Sequence, residues 1–363
     1  MKKEKIVHII DSLERGGAET MLVSLLKEMN KSYDIILVTF SDRCDFDLDE
    51  IYCTEKYCLN YKTIKDIPTA IFKLRKIIKK YSPIIVRTQL YWSTIVGRLA
   101  TPKRIPFIFS IHNKLSIDAF EANRMSYYLE KLTYRKRHTI ISVSEDSLKD
   151  YCKYIFLKGK SVILNNFVND KFFNQSYDYR QRSLNKIKIV AVGNLRHQKN
   201  YEFLLEVVKS IKDKAAIELD IIGDGNLREI FQATINQYDL PVKLLGKQSD
   251  VEKLLPNYDA FIMCSHYEGF GNAPVEAMAV GLPLILNDLN IMKEMSKGNA
   301  LFYASKDHMS LTNLLLNLSN IKSELTRLSE EGKKIARENY SLERYFLKLN
   351  AIYNGARKNN SDI

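Results

Sequence analysis

Short runs of β-branched and aromatic residues alternate with amphipathic helical stretches along nearly all of this chain, and that alternation permits few folds. Strands that return in one direction after a helical crossover form a parallel sheet with helices on its faces. In the amino-terminal half, residues 6–10, 35–40, 84–87, 107–111 and 139–143 read as strands. From 168 to 186 the periodicity stops and polar residues take over, which predicts a linker. The pattern resumes at 188–193, 218–222, 242–245, 260–264 and 284–286, and two helical stretches, 310–339 and 342–356, close the chain. We therefore expect an α/β protein of two doubly wound, Rossmann-like parallel-sheet domains, residues 1–172 and 173–340, with a helix in 341–363 returning to the first. At 363 residues, 45% hydrophobic and 27% charged, the chain has material for two cores and is not of a disordered or fibrous class.

In such sheets ligands meet the carboxyl ends of the strands, so the residues just past each strand are the candidates for function. The richest is Ser265-His266-Tyr267-Glu268-Gly269-Phe270-Gly271-Asn272-Ala273-Pro274-Val275-Glu276. Gly269 and Gly271 let backbone approach a ligand without a Cβ in the way. Pro274 suits the first turn of a helix, which puts Glu276 just inside that turn beside N–H groups that attract anions. A glutamate there also serves as a cap or dipole partner, so local chemistry leaves both roles open. Past another strand, Arg196 and Lys199 in Gly193-Asn194-Leu195-Arg196-His197-Gln198-Lys199 offer a fork and a point charge suited to a diphosphate. Gly16 and Gly17 precede an apolar-periodic helix, either as a phosphate turn or as an ordinary helix start. His112 follows the strand at 107–111, and Gly223-Asp224-Gly225 the one at 218–222.

The charge is uneven. Residues 1–180 hold 31 Lys and Arg against 21 Asp and Glu, and the remainder 24 against 22, so the formal net charge of +12 lies mostly in the first half. Its clusters include Arg75, Lys76, Lys79 and Lys80, then Lys103-Arg104, then Arg135-Lys136-Arg137. They are read either as solvated helix faces or as a surface for an anionic membrane or acidic lipid-linked acceptor. Nucleic acid is not expected, since neither a recognised motif nor an aromatic platform accompanies the charge. The five cysteines form no ligand series and are expected to be reduced thiols. Asp45-Phe46-Asp47 and Asp47-Leu48-Asp49 read as a solvated acidic loop, with no metal site. No apolar run reaches the ~20 residues of a membrane span, so the chain is expected in the cytoplasm, peripheral on the membrane.

Taken in order, the GGAE turn, SVSEDSLKDY, VILNNFVND, VGNLRHQKN, IIGDGNLRE and EGFGNAPVE resemble the retaining GT-B glycosyltransferases of family 4, over nearly the whole chain. The resemblance implies two domains facing a cleft, a nucleotide-sugar donor and no cofactor or metal. It implies that Glu276 accepts the ribose hydroxyls and that Glu268 stands near the donor sugar. The amides of Gly269, Phe270, Gly271 and Asn272 would hold sugar and diphosphate, with Val275, Asn194 and Gly246 also against the donor. Arg196 and Lys199 would take the diphosphate, Gly16 and Gly17 would face it from the first domain, and His112 would line the sugar pocket. Many relatives carry Arg where this chain has Asn194, and the resemblance implies that the guanidinium would come from Arg196 instead. The implied activity is transfer of a hexose or N-acetylhexosamine, from a UDP-sugar above all, to a lipid-linked or polysaccharide acceptor for capsule, O-antigen or exopolysaccharide. A non-catalytic subunit of the same fold and a nucleotide-sugar epimerase are the alternatives.

Overall fold

The computed structural model describes residues 3–361 apart from Arg15, Ala122 and Leu184, with side chains described through residue 358. Two compact units emerge: Met1–Phe167 with Leu342–Ile363, and Val168–Ser341.

The first unit holds β1 (Glu4–Ile10), β2 (Tyr33–Thr39), β3 (Glu55–Cys58), β4 (Ile85–Gln89), β5 (Phe107–Ile111), β6 (His138–Ser142) and β7 (Ser161–Ile163), in the order β3-β2-β1-β4-β5-β6-β7. Every pairing is parallel, with Ile6 opposite both Ile35 and Ile85. Helices cover both faces because β4, β5 and β6 are buried at every residue, which only a doubly covered sheet allows. On one face lies the helix Gly17–Ser32, whose Met21, Leu22, Leu25, Leu26 and Met29 recur at helical spacing and pack on Ile6, Ile35 and Leu37. The closing helix Leu342–Ser361 completes that face with Tyr345, Leu349 and Tyr353.

The second unit holds β8 (Ile187–Val192), β9 (Ile217–Ile222), β10 (Val242–Gly246), β11 (Ala260–Met263), β12 (Leu284–Asn287) and β13 (Leu301–Tyr303), in the order β10-β9-β8-β11-β12-β13 and again parallel. Each order reverses once, between β1 and β4 and between β8 and β11, and those reversals open the crevices where such sheets bind ligands.

The α/β, doubly wound expectation holds, and the structure differs in four places. β3, β7 and β13 are short outer strands with partly exposed residues, so they lack the apolar run that marks the central strands. The segment expected as a linker is instead a strap on the second unit. It contains the helix Asp170–Phe173, buries Phe172, Tyr177 and Tyr179, and ties Arg182 to Asp259 at 2.7 Å. Its aromatic residues bury at irregular spacing, which no periodicity test detects. The first divide accordingly falls at 167/168 rather than 172/173. The stretch 310–339 is two helices, His308–Asn317 and Lys322–Tyr340, broken at the turn Leu318–Asn320.

Gly223 shows how tightly the strand ends of the second sheet meet. Its φ of 142° belongs to glycine, its N–H donates to the Gly246 carbonyl at 2.9 Å, and a Cβ there would fall on the Gly193 carbonyl oxygen. Gly223→Ala is expected to cost about 2–4 kcal/mol, from strained backbone and displacement of the Gly193 turn. An unchanged urea midpoint would contradict this.

Candidate active site

The second unit builds its crevice from the loops after β8 and β11. Past β8, Leu195 is buried and its N–H donates to the Asp224 carbonyl at 3.0 Å, which anchors the turn carrying Arg196 and Lys199. The Lys199 stem lies across Gly193, where a Cβ would approach its Cε to 2.9 Å. Past β11, the His266 N–H donates to the Gln198 carbonyl at 2.8 Å and the Gln198 amide donates to the Tyr267 carbonyl at 3.0 Å, so the two loops form one rim.

On that rim the structure brings together two of the expected residues. Lys199 Nζ donates to Glu268 Oε1 at 2.6 Å, and Ser265 Oγ donates to the same oxygen at 2.7 Å. Glu268 is buried, and a buried carboxylate needs such partners. Behind it the Asn287 amide donates to the Ser265 carbonyl at 2.7 Å. Ser265 heads the stretch singled out in the sequence, without a role there, and Asn287 lies outside it. Asn287 ends β12, so the strand-end rule contained the signal.

The helix Asn272–Val280 starts after Gly271, whose left-handed φ of 87° turns the chain into it. Pro274 is therefore its third residue and Glu276 lies past the first turn, a correction to the expected placement. Glu276 is half-buried. Burial pushes the carboxyl up to about 7; Glu252 adds to the rise and Lys171 opposes it. Phe270 is buried edge-on against Tyr340, with ring centroids 5.5 Å apart, and Val275 is wholly buried, so their side chains belong to the core and only their backbones remain for a ligand. Asn194 and Arg196 are exposed, and Arg196 has no ion-pair partner among the described residues. Gly246 adopts φ 70° beside Gly223.

In the first unit Gly16 is the extended N-cap of the helix Gly17–Ser32. Next to this turn, Asp11 ends the β1 excursion and accepts the Ser93 N–H at 2.8 Å, holding the start of the helix Tyr91–Ala100. Burial pushes the Asp11 carboxyl up to about 6. His112 follows β5 with neither ring nitrogen hydrogen-bonded among the described residues, and burial with the Arg87 charge lowers it to about 3, so it is neutral. Arg87 itself was counted only as the end of an apolar run. It is wholly buried in β4, and its guanidinium donates to the Tyr345 hydroxyl at 3.0 Å and the Tyr353 hydroxyl at 3.2 Å of the closing helix.

Among the described residues no group of three or more His, Cys, Asp or Glu could hold a metal ion, and no helix is long and apolar enough to cross a membrane.

Two doubly wound sheets, each with strand-end loops at its switch point and one of them carrying a Lys–Glu pair and a second glutamate eight residues on, define the GT-B class. The sequence comparisons agree. Residues 15–172 match the model of Glycosyltransferase Family 4 and residues 178–335 that of Glycosyl transferases group 1. The chain belongs to these GT-B glycosyltransferases. It is 25% identical over 348 residues, 91% of this chain and 94% of the relative, to the Campylobacter jejuni GalNAc-alpha-(1->4)-GalNAc-alpha-(1->3)-diNAcBac-PP-undecaprenol alpha-1,4-N-acetyl-D-galactosaminyltransferase. It is 28% identical over 318 residues, 79% of this chain and 80% of the relative, to the Escherichia coli UDP-Gal:alpha-D-GlcNAc-diphosphoundecaprenol alpha-1,3-galactosyltransferase. Among solved structures, Anabaena Alr3699/HepE in complex with UDP and glucose superposes with a TM-score of 0.80 at 17% identity, over 97% of this chain and all of that one, which bears on the fold.

Proposed function

We propose that this chain is a retaining, metal-independent glycosyltransferase that moves a hexose or N-acetylhexosamine from a UDP-sugar to a lipid-linked acceptor in surface-polysaccharide assembly. The observation that carries the reading is the Lys199–Glu268 pair on the second unit's rim, followed eight residues on by the half-buried carboxylate of Glu276. An ionised Glu276 accepts both ribose hydroxyls of the nucleotide. Lys199 leaves Glu268 for the donor diphosphate, Arg196 adds its fork, and the amides of Gly269 to Asn272 meet the phosphate and sugar oxygens. The anomeric C–O bond breaks as charge grows on the diphosphate, which these fixed cations and helix-end dipoles stabilise. The acceptor hydroxyl oxygen attacks from the same face and its proton passes to the departing diphosphate oxygen, so no enzymic base is required.

Glu268 is not the nucleophile on this reading. Its carboxylate is engaged by Lys199 and Ser265, and a double displacement needs a second carboxyl about 5 Å away across the bond. The first unit supplies the acceptor contacts, and its basic surface keeps the protein peripheral on the cytoplasmic face of an anionic membrane. The relatives' names support the donor and acceptor classes: one is a UDP-Gal-dependent enzyme and both act on undecaprenol-linked glycans.

Calorimetry with UDP- and GDP-sugars, followed by product mass and anomeric NMR with a lipid-linked acceptor, tests the reading. A UDP-sugar is expected to bind and its sugar to transfer with retention. Absence of binding to every sugar nucleotide would sink the reading in favour of a non-catalytic subunit, and an inverted product would remove the same-face step.

A further inference from the structure

The strap that opens the second unit runs past the helix that carries Glu276. Its short helix Asp170–Phe173 packs against Asn272–Val280, and so does the turn Leu255–Asn257. Phe172 is buried, which anchors the strap, and the Asn169 side chain caps its helix by accepting the Lys171 N–H at 3.1 Å. Lys171 therefore leaves a fixed backbone. Its ammonium lies 2.9 Å from the carboxylate of Glu252, on the helix Val251–Leu254 just before that turn. The pair is lopsided: the Glu252 side chain is 7% exposed and the Lys171 side chain 45%. A carboxylate buried that deeply needs a cation, and the strap brings one to it.

Two acids and one base thus share this wall. Glu276 senses both members of the pair: Lys171 favours its ionised form and Glu252 its protonated one, on top of burial that already favours the proton. The other charges on the surrounding elements are placed or engaged elsewhere. Lys333 lies against Gly281 at the far end of the helix and donates to the Tyr177 carbonyl. Arg337 donates to the Phe173 carbonyl at 3.4 Å, Asp250 and Lys253 pair with each other at 3.0 Å, and Asp170 is exposed. The strands β11 and β12 bring no titratable side chain. The form Glu276 takes matters for its task, because a protonated carboxyl turns one of its two acceptor oxygens into a donor. Lys171 is the charge that opposes this.

We propose that Lys171 is a positioning residue for the nucleotide: held by Glu252, it keeps Glu276 a carboxylate for the ribose hydroxyls without touching the donor itself. Glu252 shares the lysine and so weakens its hold on Glu276, which sets where in the pH range the donor site comes into use. This role deepens the ribose assignment of Glu276 and rests on it. The segment that reads from the sequence as a polar linker is then part of the donor site's machinery.

Binding of UDP-glucose to the full chain is to be followed by calorimetry across the pH range in which Glu276 titrates; its diphosphate keeps one charge state there, so the profile belongs to the protein. The parent's affinity is expected to climb with a midpoint of about 7. Glu252→Gln leaves Lys171 to Glu276 alone and should move that midpoint down by about one pH unit. Adding Lys171→Met to Glu252→Gln should bring it back up by at least as much, in a background where no second acid can take the proton in place of Glu276. Adding Lys171→Arg instead keeps the charge and should leave the midpoint low. Adding Lys322→Met, the loss of an exposed lysine elsewhere in the unit, should change nothing. Thermal unfolding checks each variant, and Glu252→Gln alone keeps the test decisive if a double variant does not fold. A climb that is present in the parent but unmoved by Glu252→Gln, or by Lys171→Met in that background, overturns the role of Lys171 and leaves the transferase reading standing. So does a loss of affinity from Lys171→Met that is equal at every pH, which would put the lysine on the donor itself. A parent that binds UDP-glucose with no climb would take Glu276 off the ribose and this role with it, whereas one that binds no sugar nucleotide would overturn the transferase reading.

Discussion

Lys199→Ala is expected to lower the turnover number by about 10²–10³-fold, the cost of removing one preorganised group aimed at charge that develops in the transition state. The leaving diphosphate gains charge as the sugar departs, so the loss falls on the chemical step more than on donor affinity. The apo geometry sharpens this. Without Lys199 the buried Glu268 keeps only the Ser265 hydroxyl on the oxygen the two had shared. Restoring the charge as Lys199→Arg is expected to recover little, because the lysine stem and the Tyr201 hydroxyl crowd the same face of Gly193, leaving little width for a planar fork. The measurement is single-turnover release of nucleoside diphosphate at saturating donor. A rate within about twofold of the parent would remove Lys199 from the diphosphate site.

Glu276→Ala should instead weaken donor binding, by about 2–4 kcal/mol for two lost hydrogen bonds to a charged acceptor. The free nucleoside diphosphate should lose the same factor, because the proposed contact is with ribose and not with the sugar. A distinct pH signature goes with it. The folded carboxyl, raised to about 7 by burial, is largely protonated below that pH and cannot accept both hydroxyls. Donor affinity is expected to climb as pH rises through about 7 and then level off, and Glu276→Gln should flatten the climb. Stability runs the other way: the group's contribution is complete below the ordinary glutamate range near 4 and is lost as pH rises toward 7, where the folded state must ionise a half-buried acid. Donor affinity that is flat across this range in the parent would detach Glu276 from the ribose.

The sheets were legible because their central strands are unbroken apolar runs, as in β5, where Phe107 to Ile111 are all buried. The outer strands were not, since β3 (Glu-Lys-Tyr-Cys) and β7 (Ser-Val-Ile) show one face or less to a core and carry no period. Glycines and glutamates of the site could be picked out by chemistry and spacing, but their mutual contacts could not. Lys199 and Glu268 are 69 residues apart and meet only because β8 and β11 are neighbours. The same holds for two of the basic clusters, which read alone either as solvated faces or as a membrane surface, and which the strand order brings together as Lys103 and Arg135 to Arg137. Arg87 was hidden for the opposite reason: its partners, Tyr345 and Tyr353, lie more than 250 residues away, and nothing local announces a buried guanidinium without an acid.

That arginine has a consequence for how the protein comes into being. Domains usually mature in the order in which they leave the ribosome. Here the second unit is one continuous stretch, Val168–Ser341, and can close on itself as soon as it emerges. The first unit cannot, because Arg87 and the apolar face around Ile6 and Leu37 wait for Tyr345, Leu349 and Tyr353, which are made only after the whole of the second unit. The unit translated first is therefore the one finished last. A chain interrupted between Ser341 and Tyr345 would carry a sound second unit and an unsealed first one.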